Sequence, residues 1–347
     1  MSNRIASRPV LGTLAGALLF LPSITRADPV ADFYRGKTMQ MIVATAPGGD
    51  YDTRARLISR HMSRHIPGEP NIVPSNMPGA VGVQAANYIA GVAPRDGTVL
   101  HAIMQNMAAH QAIGGIGVKY DVTKLGWIGN STDSPNLISA WHTTGITRIE
   151  QVYTRELVVG APGVATSSVY YPHALNVLTG TKFKIVAGYP GGNNVNMAIE
   201  RGEVGGRGSN SLAAWKATKP DWLRDGKVHH LVQIALKRHP ELPDVPLLME
   251  LAKNEADRQV LYFLSADVPL SRAYVTTPDV PPERLAALRK AFDATMKDQA
   301  FLAEAEKAQI DISPSTGPDA EKIVATVLAT PPEVIARAKA ILESATK

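Results

Sequence analysis

The strongest constraint on this chain is an alternation. Short β-rich apolar runs, "MQMIVATA" from Met39, "NIVPS" from Asn71, "TVLHAI" from Thr98, "ELVVG" from Glu156, "FKIVAG" from Phe183 and "HHLVQIA" from His229, are interleaved with amphipathic helical stretches. Such alternation predicts an α/β fold, with parallel sheets covered by helices. Between the first two runs, Ala55, Ile58, Met62 and Ile66 recur at spacings of 3, 4 and 4, a stripe that faces a sheet, while Arg56, Arg60 and Arg64 take the other side. After Pro281-Pro282, a helix-start signal, Leu285, Leu288, Phe292 and Met296 repeat the pattern. The last third reads as mostly helical.

Residues 1–27 read as an export signal rather than as part of the fold. Arg4 and Arg8 precede the apolar "PVLGTLAGALLFLP", and Thr25-Arg26-Ala27 offers small residues for cleavage before Asp28. The apolar core is too short for a stable transmembrane helix. No Cys follows the site to take a lipid, and the arginines are not adjacent, as a twin-arginine signal requires. The expected location is the periplasm. Residues 1–27 hold three arginines and no acid, so their removal lowers the formal charge from +5 to +2. With no Lys/Arg run either, nucleic acid is excluded as a partner. A chain without cysteine has no disulfide framework, so packing alone must hold it. Its length suits one large or two medium domains.

One turn invites chemistry. In "IVATAPGGDYDTRARLISRHM", from Ile42, a strand ends at Pro47-Gly48-Gly49 and feeds a helix. The helix's first N–H groups are left without side-chain cover, and such a terminus attracts anions. Two glycines let a ligand approach the backbone, and the helix dipole favours negative charge. The alternative is an ordinary tight turn. It is not a Walker loop, because Asp50, Tyr51 and Asp52 follow where Lys and Ser/Thr are needed, and two carboxylates there repel a polyphosphate.

Three segments in order, "FYRGKTMQMIVATAPGGDYD", "NMPGAVGVQAANYIAGVAPRDGTVL" and "GAPGVATSSVYYPHALNVLTGTKFKIVAGYPGGNNVNMAIERGEV", make the chain resemble the substrate-binding proteins of tripartite tricarboxylate transporters, the Bug or TctC family. The resemblance covers nearly all of the chain beyond the signal. It implies a type II-like periplasmic binding protein, two α/β lobes joined by two crossing strands with a ligand cleft between. Lobe I is expected at residues 28–130 plus 267–347 and lobe II at 131–266, with "LGWIGNSTDSPNLISAW" crossing outward and "YFLSADVPLSRAYV" returning. It further implies a monomer that closes on a small carboxylate and delivers it to integral membrane transporter subunits. A periplasmic sensor that presents its ligand to a receptor kinase is the alternative.

Ligands of open α/β sheets sit beyond the carboxyl ends of the strands. Three loops are therefore nominated: Pro47, Gly48, Gly49, Asp50, Tyr51 and Asp52; Thr166, Ser167 and Ser168 before "PHALNVLTG"; and Gly191, Gly192 and Asn193. The third loop lacks the lysine usual in the resembled family, and downstream Arg207 stands where many relatives carry an acidic or apolar strand. Arg207 is either the fixed cation for a carboxylate or part of a lobe-surface ion pair. Asp50 or Asp52 in the cleft favours an ammonium-bearing ligand, and Arg207 there favours a di- or tricarboxylate.

Other residues read as structure. His61 and His65 share a helix edge but lack a third ligand, so no metal is expected, and no cofactor motif is present. Trp127, Trp141, Trp215 and Trp222 read as core or surface aromatics. There is no Gly-x-Ser-x-Gly elbow, no Cys nucleophile and no supported carboxylate pair, so no catalytic residues and no enzyme are expected.

Overall fold

The computed structural model describes residue 1, residues 28–164 and residues 166–345; beyond Met1, the expected export signal lies outside the described residues. Among the described residues, eleven strands form two sheets. In chain order they are β1 (Thr38–Val43), β2 (Asn71–Asn76), β3 (Val99–Ala102), β4 (Gly126–Asn130), β5 (Asn136–Trp141), β6 (Leu157–Ala161), β7 (Phe183–Ala187), β8 (Gly206–Ser211), β9 (Val228–Ile234), β10 (Ala273–Thr276) and β11 (Ser315–Thr316). The first sheet has the order β11-β4-β10-β3-β1-β2 and the second β7-β6-β8-β5-β9. β1 is parallel to β2 and β3, and β6 to β7 and β8. In each sheet, the strand entered directly after the chain changes sheets runs against its neighbours. β10 is antiparallel to β3 and β4, and β5 to β8 and β9.

All six apolar runs are strands. The helix Asp50–Met62 buries Ala55, Ile58 and Met62, with Ile66 just beyond it, as their spacing predicts. Leu288, Phe292 and Met296 are likewise buried on and just after the helix Pro282–Thr295. Burying a large apolar side chain contributes about 1.5–3 kcal/mol, so such stripes dock their helices. β8 was not legible as a strand. Its sequence, "GRGSNS", is rich in glycine and small polar residues that strands disfavour. Packing requires the glycine at 208, because a Cβ there would lie 1.9 Å from the Ser168 carbonyl oxygen.

His61 and His65 are not a solvated helix edge. His61 is buried and meets Glu304 at 2.7 Å, and His65 meets Asp298 at 2.8 Å. Both acids belong to the helix Gln299–Lys307 and its N-cap, so the histidines tie two helices together.

The two changes of sheet are stitched to each other. Between β4 and β5, the Ser131 N–H donates to the Arg272 carbonyl (3.0 Å). The Ser271 hydroxyl donates to the Thr132 carbonyl (2.7 Å), and the Arg272 N–H to Asn130 Oδ1 (2.8 Å). Arg272, just before β10, also carries the central ion pair. Its Nε donates to Asp50 and its Nη2 to Ser211 Oγ (3.0 Å), while Arg54 Nε reaches Asp50 from the other side (2.9 Å). One buried carboxylate thus links the first helix after β1, the return crossing and the end of β8.

Burial alone would raise the Asp50 pKa, but Arg272 and Arg54 hold it below its ordinary value. Asp50→Asn leaves two guanidinium groups without a counter-charge, and the expected loss is about 3–5 kcal/mol in urea unfolding. The carboxyl is depressed in the folded state, so its contribution is full above the unfolded pKa and is lost as pH falls through the folded one. Stability should therefore decline on acidification below about pH 4, and less steeply in Asp50→Asn.

Candidate functional site

The loops after β3 and β6 share a hollow through Asn106 and Ser167, and the loop after β1 is linked to the end of β8 through Asp50, Arg272 and Ser211. In the loop after β1, Gly48 takes the left-handed φ of +82°, whereas Gly49 is extended at −84°. The Gly48 N–H donates to Asp52 Oδ2 (2.9 Å), and the same carboxylate accepts from Arg56 Nε (3.0 Å) and Asn76 Nδ2 (2.9 Å). Tyr51 donates to the Ser271 carbonyl (2.9 Å), and its ring lies under the Arg272 guanidinium at 4.1 Å. Asp50, Tyr51 and Asp52 are thus engaged in holding the turn and the crossing. Neither carboxylate is free to select an ammonium group.

The other two loops meet around Arg207. The Ser168 hydroxyl donates to the Ser209 carbonyl (3.0 Å), and the Ser167 hydroxyl lies 3.4 Å from that of Ser209. Thr166 turns its hydroxyl to the Gly163 carbonyl (2.7 Å). Arg207 Nε donates to the Ser209 carbonyl (3.2 Å) and Nη1 to Asn196 Oδ1 (2.9 Å). The remaining nitrogen, Nη2, lies against Gly192, where a Cβ would sit 2.4 Å from it. Glycine at 192 therefore makes room for the guanidinium at the start of the helix Gly192–Glu200. Neither this helix nor Ser167–Thr179 has a side-chain cap. Gly191 is the N-cap of the first, and Asn193 is exposed in its first turn.

Arg207 is only 8% exposed and makes no ion pair among the described residues. Burial pushes its pKa down to about 10, still cationic at neutral pH. A surface ion pair is therefore not what holds it. Trp215, packed 5.6 Å from the guanidinium, and Trp222 are core residues, and Trp141 packs on Trp222.

A cavity of about 320 Å³ is lined by Val81, Val83, Met107, Ile113, Tyr170 and Leu342 among others, and by neither Arg207 nor any residue of the three nominated loops. A hollow of about 30 Å³ adjoins it, walled by Ser167, Tyr171 and Asp267. Val81 holds a left-handed φ of +54°, a conformation costing a β-branched residue about 1–3 kcal/mol, and such strain concentrates at binding sites. The Val81 and Asn106 loops follow β2 and β3, so the strand-end rule that nominated the other loops should have nominated these. Leu342, from the last helix, Pro332–Ser344, gave no sequence signal. Several buried polar atoms have no partner among the described residues: Thr45 Oγ1 after β1, Gln105 Nε2 after β3, Asn210 Nδ2 in β8, Asn196 Nδ2 in the helix Gly192–Glu200 and Asp267 Oδ2 before β10. Buried polar groups are rarely left so in native proteins. Among the described residues no group of acidic and histidine side chains could hold a metal ion.

No protein-family model matches the chain. A UPF0065 protein of Bordetella bronchiseptica is 25% identical over 245 residues, 68% of this chain and 70% of that protein. Among solved structures, MatC from Rhodopseudomonas palustris with bound malate is 23% identical over 88% of this chain and 99% of that one, with a TM-score of 0.65. Rpa4515 of R. palustris with adipate is 22% identical, covering 88% and 97%, also at 0.65. A TctC solute-binding protein from Polaromonas is 18% identical, covering 90% and 99%, at 0.62. The resemblance carried by the three glycine-bearing motifs is borne out: the chain has the two-lobed α/β fold of the TctC and Bug solute-binding proteins.

Proposed function

We propose that this chain is a periplasmic solute-binding protein that captures a small carboxylate, a di- or tricarboxylate or related organic acid, and delivers it to the integral subunits of a tripartite tricarboxylate-type transporter. The reading divides the chain into lobes at residues 28–130 plus 267–347 and 131–266, which close on the ligand. The observation that carries it is Arg207, a buried guanidinium with no acid to pair with among the described residues, facing a glycine-bared helix start. Burying an unpaired charge is costly unless a partner arrives, and a ligand carboxylate is that partner. The dicarboxylates named with two of the fold's neighbours, malate and adipate, agree with this chemistry.

Magnitudes require more than Arg207. A charge-assisted hydrogen bond nets about 1.5–3 kcal/mol and a helix terminus about 0.3–1, whereas a micromolar Kd needs about 8. Backbone N–H groups of two helix starts, the hydroxyl of Ser167 and contacts from the Val81 and Asn106 loops must add to it. This is the physical reason for a cleft that closes.

Thermal-shift screening of the protein against malate, adipate, citrate and monocarboxylates tests the reading. A true ligand at a hundred times its Kd adds about 2.7 kcal/mol of stability. Arg207→Met should weaken a dicarboxylate at least tenfold, and more than a monocarboxylate. Equal losses for both would put Arg207 outside the site. Stabilisation by amines or sugars but by no acid would end the carboxylate reading. Gly192→Ala displaces only the flexible end of Arg207, so it should lower affinity in the same sense with little change in Tm.

A further inference from the structure

The side chain that holds Arg207 is itself half-bonded. Asn196, four residues beyond Gly192 and so on the same face of the helix Gly192–Glu200, is 1% exposed and meets Arg207 Nη1 at 2.9 Å. A guanidinium only donates, so the atom it meets is the amide oxygen, and the other atom of that amide is the donor Nδ2. Nδ2 is buried and has no acceptor among the described residues. At the helix start, the N–H groups of Asn194 and Val195 go to the Gly191 carbonyl, while those of Gly192 and Asn193 bond nothing among the described residues. Arg207 Nη2, against Gly192, is in the same position, since Nε and Nη1 carry the bonds the guanidinium makes there. These four open groups, Nη2, Nδ2 and two N–H groups, are all donors.

We propose that Asn196 is a specificity-determining residue: by holding Arg207 through a neutral oxygen and leaving Nδ2 to donate, it makes the site select an ionised carboxylate over the corresponding carboxamide. The inference rests on the carboxylate reading and deepens it. A carboxylate only accepts, so its oxygens suit every one of the four open groups. A carboxamide of the same shape brings an NH2 that needs an acceptor, and none of the four is one. Left unpaired out of water, that NH2 loses its hydration without compensation.

The substitution Asn196→Asp isolates this role because it is nearly isosteric and keeps an oxygen for Nη1. It pairs the guanidinium charge and puts an acceptor where Nδ2 now donates. A ligand carboxylate then meets repulsion at the point where a carboxamide NH2 finds a partner. The same change supplies the acid that Arg207 lacks in the empty protein, removing the cost of a buried charge without a counter-ion. Stability and carboxylate affinity therefore move in opposite directions. An amide that served only to support the fold would move them together and would not alter the choice between acid and amide.

Isothermal titration of the protein, of Asn196→Asp and of Asn196→Ala with malate, adipate, citrate and a monoamide of each tests the proposal. The unaltered protein should prefer the acid it binds over its monoamide at least tenfold. In Asn196→Asp that acid should bind at least tenfold more weakly, the acid-to-monoamide ratio should fall at least tenfold, and Tm without ligand should be unchanged or higher. Asn196→Ala keeps the charge of Arg207 and loses one donor, so the acid should bind more weakly, by less than in Asn196→Asp, and Tm should fall. If Asn196→Asp does not fold, Asn196→Ala carries the test. Equal binding of acid and monoamide by the unaltered protein, an unchanged ratio in Asn196→Asp, or unchanged acid affinity in Asn196→Ala would overturn the proposal and leave the carboxylate reading standing. If the protein binds none of the three acids, both fall.

Discussion

The carboxylate of Asp50 is where the architecture is tied. It lies between two guanidinium groups, one four residues along its own helix and one on the return crossing, which in turn bonds the end of β8. Ion pairs of this kind are held by geometry rather than by net gain, because desolvating the charges offsets most of their attraction. What they supply is registry. With Arg272 fixed on Asp50 and stacked on Tyr51, the two segments between the sheets have one defined arrangement.

Arg207 inverts the arrangement at Asp50. Each is a charge taken out of water, but Asp50 is saturated by two cations whereas Arg207, among the described residues, has only neutral acceptors, Ser209 and Asn196. The saturated charge fixes registry, and on the proposed function the unsaturated one is where a ligand carboxylate binds. The acids Asp50 and Asp52, which sequence position alone put in the cleft, belong to the saturated kind.

Periodic features were legible in the chain. Six strands, the stripe from Ala55 to Met62 and the one from Leu288 to Met296 follow from spacing, because burial of apolar surface imposes it. The serine and glycine loops, and Arg207 as an oddity among them, were visible as local chemistry. β8 was not, since its strand is fixed by close backbone approach at Gly208 rather than by apolar pattern. Asp267 and Leu342 escaped for a different reason. Neither stands in a motif, and only tertiary contact brings the return segment and the last helix to the cavity. The Val81 and Asn106 loops could have been found by applying the strand-end rule to β2 and β3.

The two sheets also differ in how they use the chain. The second is contiguous, from Asn136 to Ile234, while the first closes only when β10 inserts between β3 and β4, pairing Val275 with His101. The second sheet can pair as soon as its own residues exist, whereas the first must wait for a segment more than 170 residues beyond β3. Such long-range pairing bears a larger loop-closure entropy and forms slowly. The order of assembly is therefore written into the connectivity: the middle of the chain folds first and the ends close around it. Pulsed hydrogen exchange during refolding should protect β5, β8 and β9 before β3 and β10, and the reverse order would contradict this account.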